Sequence, residues 1–127
     1  MTHATIMVLL LLFQTKHLLA DFVFQSGWMV RNKGIYGHPG GIAHSATHAA
    51  MTVPVLIWTP LGVMTVLAVA AGEFVLHYHI DWIKDQALKR VGYGPAQKGY
   101  WVLMGLDQFA HQLTYVGILW LVPFLVQ

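Results

Sequence analysis

Cysteine is absent from this chain, which removes disulfides, thiolate metal sites and cysteine nucleophiles together. Charge is scarce as well. Asp, Glu, Lys and Arg make up 9% of the residues, against roughly 25% in an ordinary soluble domain. A soluble globule needs polar side chains over its outside, and this chain has too few. The net charge of +2 is too small to suggest a nucleic-acid partner. No repeat of fixed period and no low-complexity tract divides the 127 residues, so one domain over 1–127 is expected. What is abundant is apolar: 57% of the residues are hydrophobic and the mean hydropathy is +0.58. Histidine is the other excess, with eight against five acidic residues.

The apolar residues fall into four runs, each near the roughly 20 residues that a bilayer core requires. The first spans about Thr5 to Trp28. It has no basic start and runs past Ala20 into Phe22, Val23 and Phe24, so it reads as a spanning helix and not as a signal peptide. Arg31 to Gly41 holds two basic residues, four glycines and Pro39, which is loop chemistry. Further helices are expected over about Ile42–Trp58, Leu61–Leu88 and Gly99–Phe124. Thr59-Pro60 breaks the second from the third, and Gly92, Gly94 and Pro95 separate the third from the fourth. The expected fold is all-α: an integral membrane bundle of four transmembrane helices, up-down-up-down. Arg31, Lys33, Lys84, Lys89, Arg90 and Lys98, six of the seven basic residues, flank the first and third loops. By the positive-inside rule that side is cytoplasmic, which places both termini in the periplasm.

Four polar pairs interrupt the apolar pattern: His17 and Asp21, His44 and His48, His77 and Asp81, Asp107 and His111. Each is spaced i, i+4, so its two side chains share one helix face. Each expected helix carries one pair, and alternating topology brings all four to the cytoplasmic side. Ionisable groups inside a membrane cost about 2.5–3.5 kcal/mol each on insertion scales. A hydrogen-bonded polar core could account for any one of them. Four pairs at matched depth point instead to a metal site, and imidazole with carboxylate suits Zn or non-haem Fe, as one or two ions. Gln14 and Gln25 extend the stripe of the first helix, and Glu73 and Lys84 that of the third, while Lys16 leaves it. His3 reads as a solvated terminal residue, His38 as a loop residue and His79 as interfacial. The tryptophans 28, 58, 82, 101 and 120 fit an interfacial belt.

These residues resemble a known pattern. His17-Leu-Leu-Ala-Asp21-Phe-Val-Phe-Gln25, with Trp28-Met29 and Asn32-Lys33, is similar to the opening of a bacterial membrane family named domain of unknown function 3307. His44-Ser45 with His48, His77 with Ile80-Asp81-Trp82 and Lys84, and Asp107-Gln108 with His111 match its later segments. The resemblance implies a bacterial inner-membrane protein and no established activity. The ligand pattern is also loosely similar to membrane-bound metal-dependent hydrolases. The expected function is accordingly a metal-dependent hydrolase at the cytoplasmic face, acting on a lipid or phosphoester. The eight paired residues would serve as ligands, Glu73 as a base or an orienter of His77, and Lys84 as the partner of an anionic head group. A di-iron lipid hydroxylase and an accessory or assembly subunit of a larger membrane complex are the alternatives. A transporter fits less well, because Val53–Ala71 and Val116–Val126 offer little polar path.

Overall fold

Capping side chains set where the helices begin. Thr2 Oγ1 accepts from the Thr5 amide ahead of α1 (His3–Phe22), and Ser26 Oγ accepts from the Met29 amide ahead of α2 (Gly27–Asn32). His38 Nδ1 accepts from the Gly40 amide, and Pro39 supplies the fixed φ favoured at the first position of α3 (Pro39–Leu56). Helix α4 (Val63–Val91) follows the Thr59-Pro60 turn and ends at Gly92, which is left-handed at φ 68°. Helix α5 is Lys98–Leu125. The computed structural model describes residues 1–126, so the C-terminal Gln127 lies outside it, and among the described residues there is no strand.

The first helix is shorter than its apolar run suggests. The Val23 and Phe24 amides both bond the Leu19 carbonyl at 2.9 Å, which closes α1, and Ser26 then starts a separate helix. Gln25 therefore leaves the α1 stripe and bonds back to the Asp21 carbonyl at 2.7 Å. Arg31 and Asn32, expected in a loop, belong to α2, and α3 begins at Pro39 instead of Ile42. Of the four long helices, α1 and α4 are long and apolar enough to cross a membrane. In α3 and α5, His44, His48, Pro54 and the Asp107–Gln112 polar set dilute the apolar character.

The long helices form a ring in which α1 packs on α3, α3 on α4, α4 on α5 and α5 on α1, with α2 against α3. At one end the core is apolar. Leu9 from the start of α1 meets Leu56 from the end of α3, Val66 from the start of α4 and Val122 from the end of α5. Consecutive long helices therefore alternate in direction. Phe13, fully buried, stacks on Tyr115 with ring centroids 5.1 Å apart. The other end holds His, Asp and Lys side chains instead. The outside is apolar, with Trp58 84%, Met64 79% and Phe22 73% exposed. A polar interior under an apolar surface inverts the usual soluble arrangement.

The α2–α3 connection is tied to α4. The Gly34 carbonyl accepts from Gln86 Nε2 at 2.7 Å and from Lys89 Nζ at 3.1 Å, and a Cβ at Gly34 would run into the Asp85 carboxylate. Gly37 sits at φ 76° and donates its amide to the Tyr78 hydroxyl at 2.6 Å. Gly37→Ala should destabilise the protein by about 1–2 kcal/mol, the cost of a Cβ in left-handed backbone. Thermal unfolding in detergent should register it as a lower midpoint; an unchanged midpoint would contradict this account of the loop.

Candidate metal centre

Helical spacing delivers the ligands. On α4, Glu73, His77, Asp81 and Lys84 recur at intervals of four, four and three and all face inward. On α3, His44 and His48 do the same, and on α5 so do Asp107 and His111. The result is a buried cluster fed by four helices. His44, His48, His77 and His111 are each at most 2% exposed.

Two groups within it are tight enough to hold a metal ion. Asp21, His44, His48 and His77 offer one ligand atom each, all within 4.8 Å of one another, and His77, Asp81 and His111 form a second such group. Asp21 Oδ1 lies 3.1 Å from His48 Nε2 and 3.3 Å from His44 Nε2. His77 Nε2 lies 3.1 Å from His44 Nε2. In a tetrahedral site with ligand bonds of about 2.0–2.1 Å, neighbouring ligand atoms sit about 3.3 Å apart. Asp81 Oδ2 is 3.1 Å from His44 Nε2 and 3.4 Å from His77 Nε2, yet it is buried without an aligned hydrogen bond. The His48–Asp21 and His77–His44 contacts have hydrogen-bond geometry, whereas Asp81 Oδ2, this close and without an aligned donor, suits ligation of a shared centre better. The imidazoles of His48, His77 and His111 stack in sequence, with centroids 3.7 and 4.1 Å apart.

Two of the eight expected ligands stand beside the groups and outside them. His17 has both ring nitrogens engaged, Nδ1 with the Tyr115 hydroxyl at 2.8 Å and Nε2 with Gln108 Oε1 at 3.0 Å. Since Oε1 can only accept, Nε2 donates, and in the neutral ring Nδ1 accepts from the hydroxyl. His17 Nε2 is also 3.2 Å from Asp21 Oδ2, so it steadies that carboxylate from behind. Asp107 lies 3.6 Å from His111 Nε2, and its Oδ1 is buried with no hydrogen-bond partner.

Glu73 is not an orienter of His77. Its carboxylate is taken up on both oxygens, by the Lys16 ammonium and the Thr52 hydroxyl, while His77 Nδ1 has no partner. Lys16 itself was expected off the stripe. It is 3% exposed, donates to the His48 carbonyl at 3.1 Å and lies 4.7 Å from the centre of the Tyr115 ring. Leu9, Phe13, Lys16 and Ala20 recur at helical spacing, and that pattern is the signal that would have found it. Lys33, expected in a loop, is buried and donates to Asp81 Oδ1 at 3.1 Å. Periodicity carries no signal for this residue, because the contact depends on how the loop folds back. Lys84 is buried 3.4 Å from Asp85 Oδ1. His38 caps α3, and His79 bonds the Tyr36 hydroxyl and the Val75 carbonyl, both away from the cluster. His3 is exposed.

Fold and site together define an all-helical protein with a buried His/Asp centre that could hold a metal ion. The chain belongs to the family described as "Protein of unknown function (DUF3307)", whose model matches residues 6–126. No curated protein and no solved structure matches it.

Removing one partner of a buried ion pair strands the other charge, at a cost of about 3–5 kcal/mol. Lys16→Met and Glu73→Gln should each destabilise by that order in detergent melts, and the double variant should recover most of the loss. Additive losses in the double variant would show that the two groups do not compensate each other.

Proposed function

We propose that this is a multi-pass protein of the bacterial cytoplasmic membrane, with both termini periplasmic and a metal-dependent hydrolase site near the cytoplasmic face. The convergence of Asp21, His44, His48 and His77 from three helices carries this reading. The membrane placement is supported by the apolar outer faces of the bundle and by α1 and α4, which are each able to span. The other two long helices then cross as the remaining sides of the same ring. The six basic residues at the polar end favour that end as cytoplasmic.

One ion is favoured over two. Both groups draw on His77, and a single imidazole nitrogen serves one ion. Charge points the same way: of the two carboxylates in these groups, that of Asp81 is paired with Lys33, which leaves that of Asp21 as one negative charge in excess. A divalent cation, Zn or Fe, with one exogenous anion closes that balance. Such an ion lowers the pKa of bound water and polarises a phosphoryl or acyl oxygen. The chain's own groups do the rest. Asp21, His44, His48 and His77 hold the ion, His17 orients Asp21, and Asp81 and His111 flank it on the α5 side. Lys33 fixes Asp81, and Lys84 meets the anionic group of a lipid or phosphoester substrate. Glu73, engaged by Lys16 and Thr52, positions the inner wall. A second reading, an accessory subunit with a purely structural polar core, is favoured by the Lys33–Asp81 and Lys16–Glu73 pairs, which satisfy charge without an ion.

Elemental analysis of protein purified in mild detergent without added metal decides between them. About one Zn or Fe per chain is expected, Zn favouring hydrolysis and Fe favouring oxygen chemistry on a lipid chain. His44→Ala, His48→Ala and His77→Ala should each abolish binding, whereas His38→Ala and His79→Ala should keep it. A metal-free wild-type protein would leave the accessory-subunit reading standing. A reporter fused after Gln127 should read periplasmic, and a cytoplasmic signal there would reverse the orientation.

A further inference from the structure

Helices α4 and α5 leave an open seam on their outer side. Its larger part is a cavity of 690 Å³ walled by Thr65, Gly72, Glu73, Leu113, Gly117 and Leu121 among others. Its smaller part, 290 Å³, is walled by Ile80, Lys84, Leu103, Leu106 and Asp107. Ala110 lines both, so the two parts lie end to end along the same seam. From Lys84 to Gly72 it runs along about 18 Å of α4 at 1.5 Å per residue, close to one leaflet, half of the roughly 30 Å hydrocarbon core of a bilayer.

The glycines in this wall are not explained by packing within the chain. A Cβ added at Gly72 or at Gly117 would meet nothing within 4 Å. Glycine inside a helix costs stability relative to alanine, and these two leave open space along the groove wall. At the polar end, the groove reaches groups that want a ligand. Asp107 is 5% exposed, and its Oδ1 is buried without a hydrogen-bond partner. Lys84, whose ammonium group is 3.4 Å from Asp85 Oδ1, lines the same wall. The occupant must therefore supply an apolar tail, an anion for Lys84 and a hydrogen-bond donor for Asp107. An apolar helix of a second copy could lie along the seam, since small residues favour helix contacts in membranes, but it would leave Asp107 unpaired.

We propose that the α4–α5 groove holds one acyl chain of an anionic, hydroxyl-bearing lipid. The phosphate of the lipid meets Lys84 and its head-group hydroxyl donates to Asp107, beside His111 of the metal cluster. This assignment rests on the membrane and metal-site reading above and names the substrate class for it.

The test uses the full-length protein reconstituted in phosphatidylcholine vesicles that contain phosphatidylglycerol with a photoactivatable acyl chain, and the labelled residues are mapped by mass spectrometry. Labelling should concentrate on Gly72, Ala110, Leu113, Gly117 and Leu121, several-fold above Val8, Leu11 and Leu12 on the lipid-facing side of α1. Gly72→Leu/Gly117→Leu should reduce it to the α1 level while the metal content stays unchanged, which controls for folding. The milder Ala pair should give a partial loss. Lys84→Gln should abolish the preference for labelled phosphatidylglycerol over labelled phosphatidylcholine. His77→Ala, which removes the metal, should leave groove labelling intact, so failure of the metal site and failure of the groove read out separately. Even labelling around the bundle, or labelling that persists in the Leu pair, overturns the proposal. So does a disulfide-linked dimer of Gly117→Cys at high yield, which would assign the groove to a second copy.

Discussion

A carboxylate cannot remain ionised in a low-dielectric core without compensating charge close by, and the arrangement of this protein follows from that requirement. Four acidic side chains enter the bundle, and each has its own answer. Glu73 is closed off by Lys16 and Thr52. Asp81 is met by Lys33 from the loop and by three imidazoles, and Asp21 by three imidazoles of its own. Asp107 is the least satisfied, and it lies where the outer groove reaches the cluster. The gradient of satisfaction runs from the middle of the bundle, where nothing external can help, to the wall that opens outward.

Lys16 and Glu73 mark the boundary between the two halves of the core. On one side of them Phe13 stacks on Tyr115 and the packing is apolar; on the other the imidazole stack begins. Tyr115 belongs to both, with its ring under the Lys16 ammonium and its hydroxyl on His17. Buried polar groups need hydrogen-bond partners at defined positions, and here most of those partners come from other helices. The polar half therefore does two jobs: it builds a site, and it fixes the register of four helices.

Much of this architecture was legible in the residues themselves. The i, i+4 pairs gave the matched depth of the cluster, and Thr59-Pro60 and Gly92 gave the breaks, because both depend on local geometry that a single helix determines. The two lysines were missed for different reasons. Lys16 was set aside because it leaves the polar stripe of His17 and Asp21, although it lies on the buried face that Leu9, Phe13 and Ala20 share. Lys33 was out of reach of any periodic pattern, since a fold-back of the connection between α2 and α3 brings it to Asp81. The break after Phe22 was hidden because Val23 and Phe24 remain as apolar as the helix before them; only the double bond to the Leu19 carbonyl and the Ser26 cap give it away. His17 and Asp107 shared the spacing of the true cluster members, and spacing cannot distinguish a group at the centre from one that supports it.

The order of the chain has a consequence for how such a centre comes into being. Asp21, His44, His48 and His77 come from α1, α3 and α4, whereas the second group takes His111 from α5. During synthesis the first group is complete in composition once α4 has emerged, while the last helix is still to come. Asp21 and His44 can then be brought together by the hairpin of α3 and α4 closing against α1, and α5 arrives as the final wall. It delivers Tyr115 and Gln108 to His17, and with them the seam along its own flank. In chain order, then, every residue of the first group precedes α5, and the helix that flanks the open seam comes last.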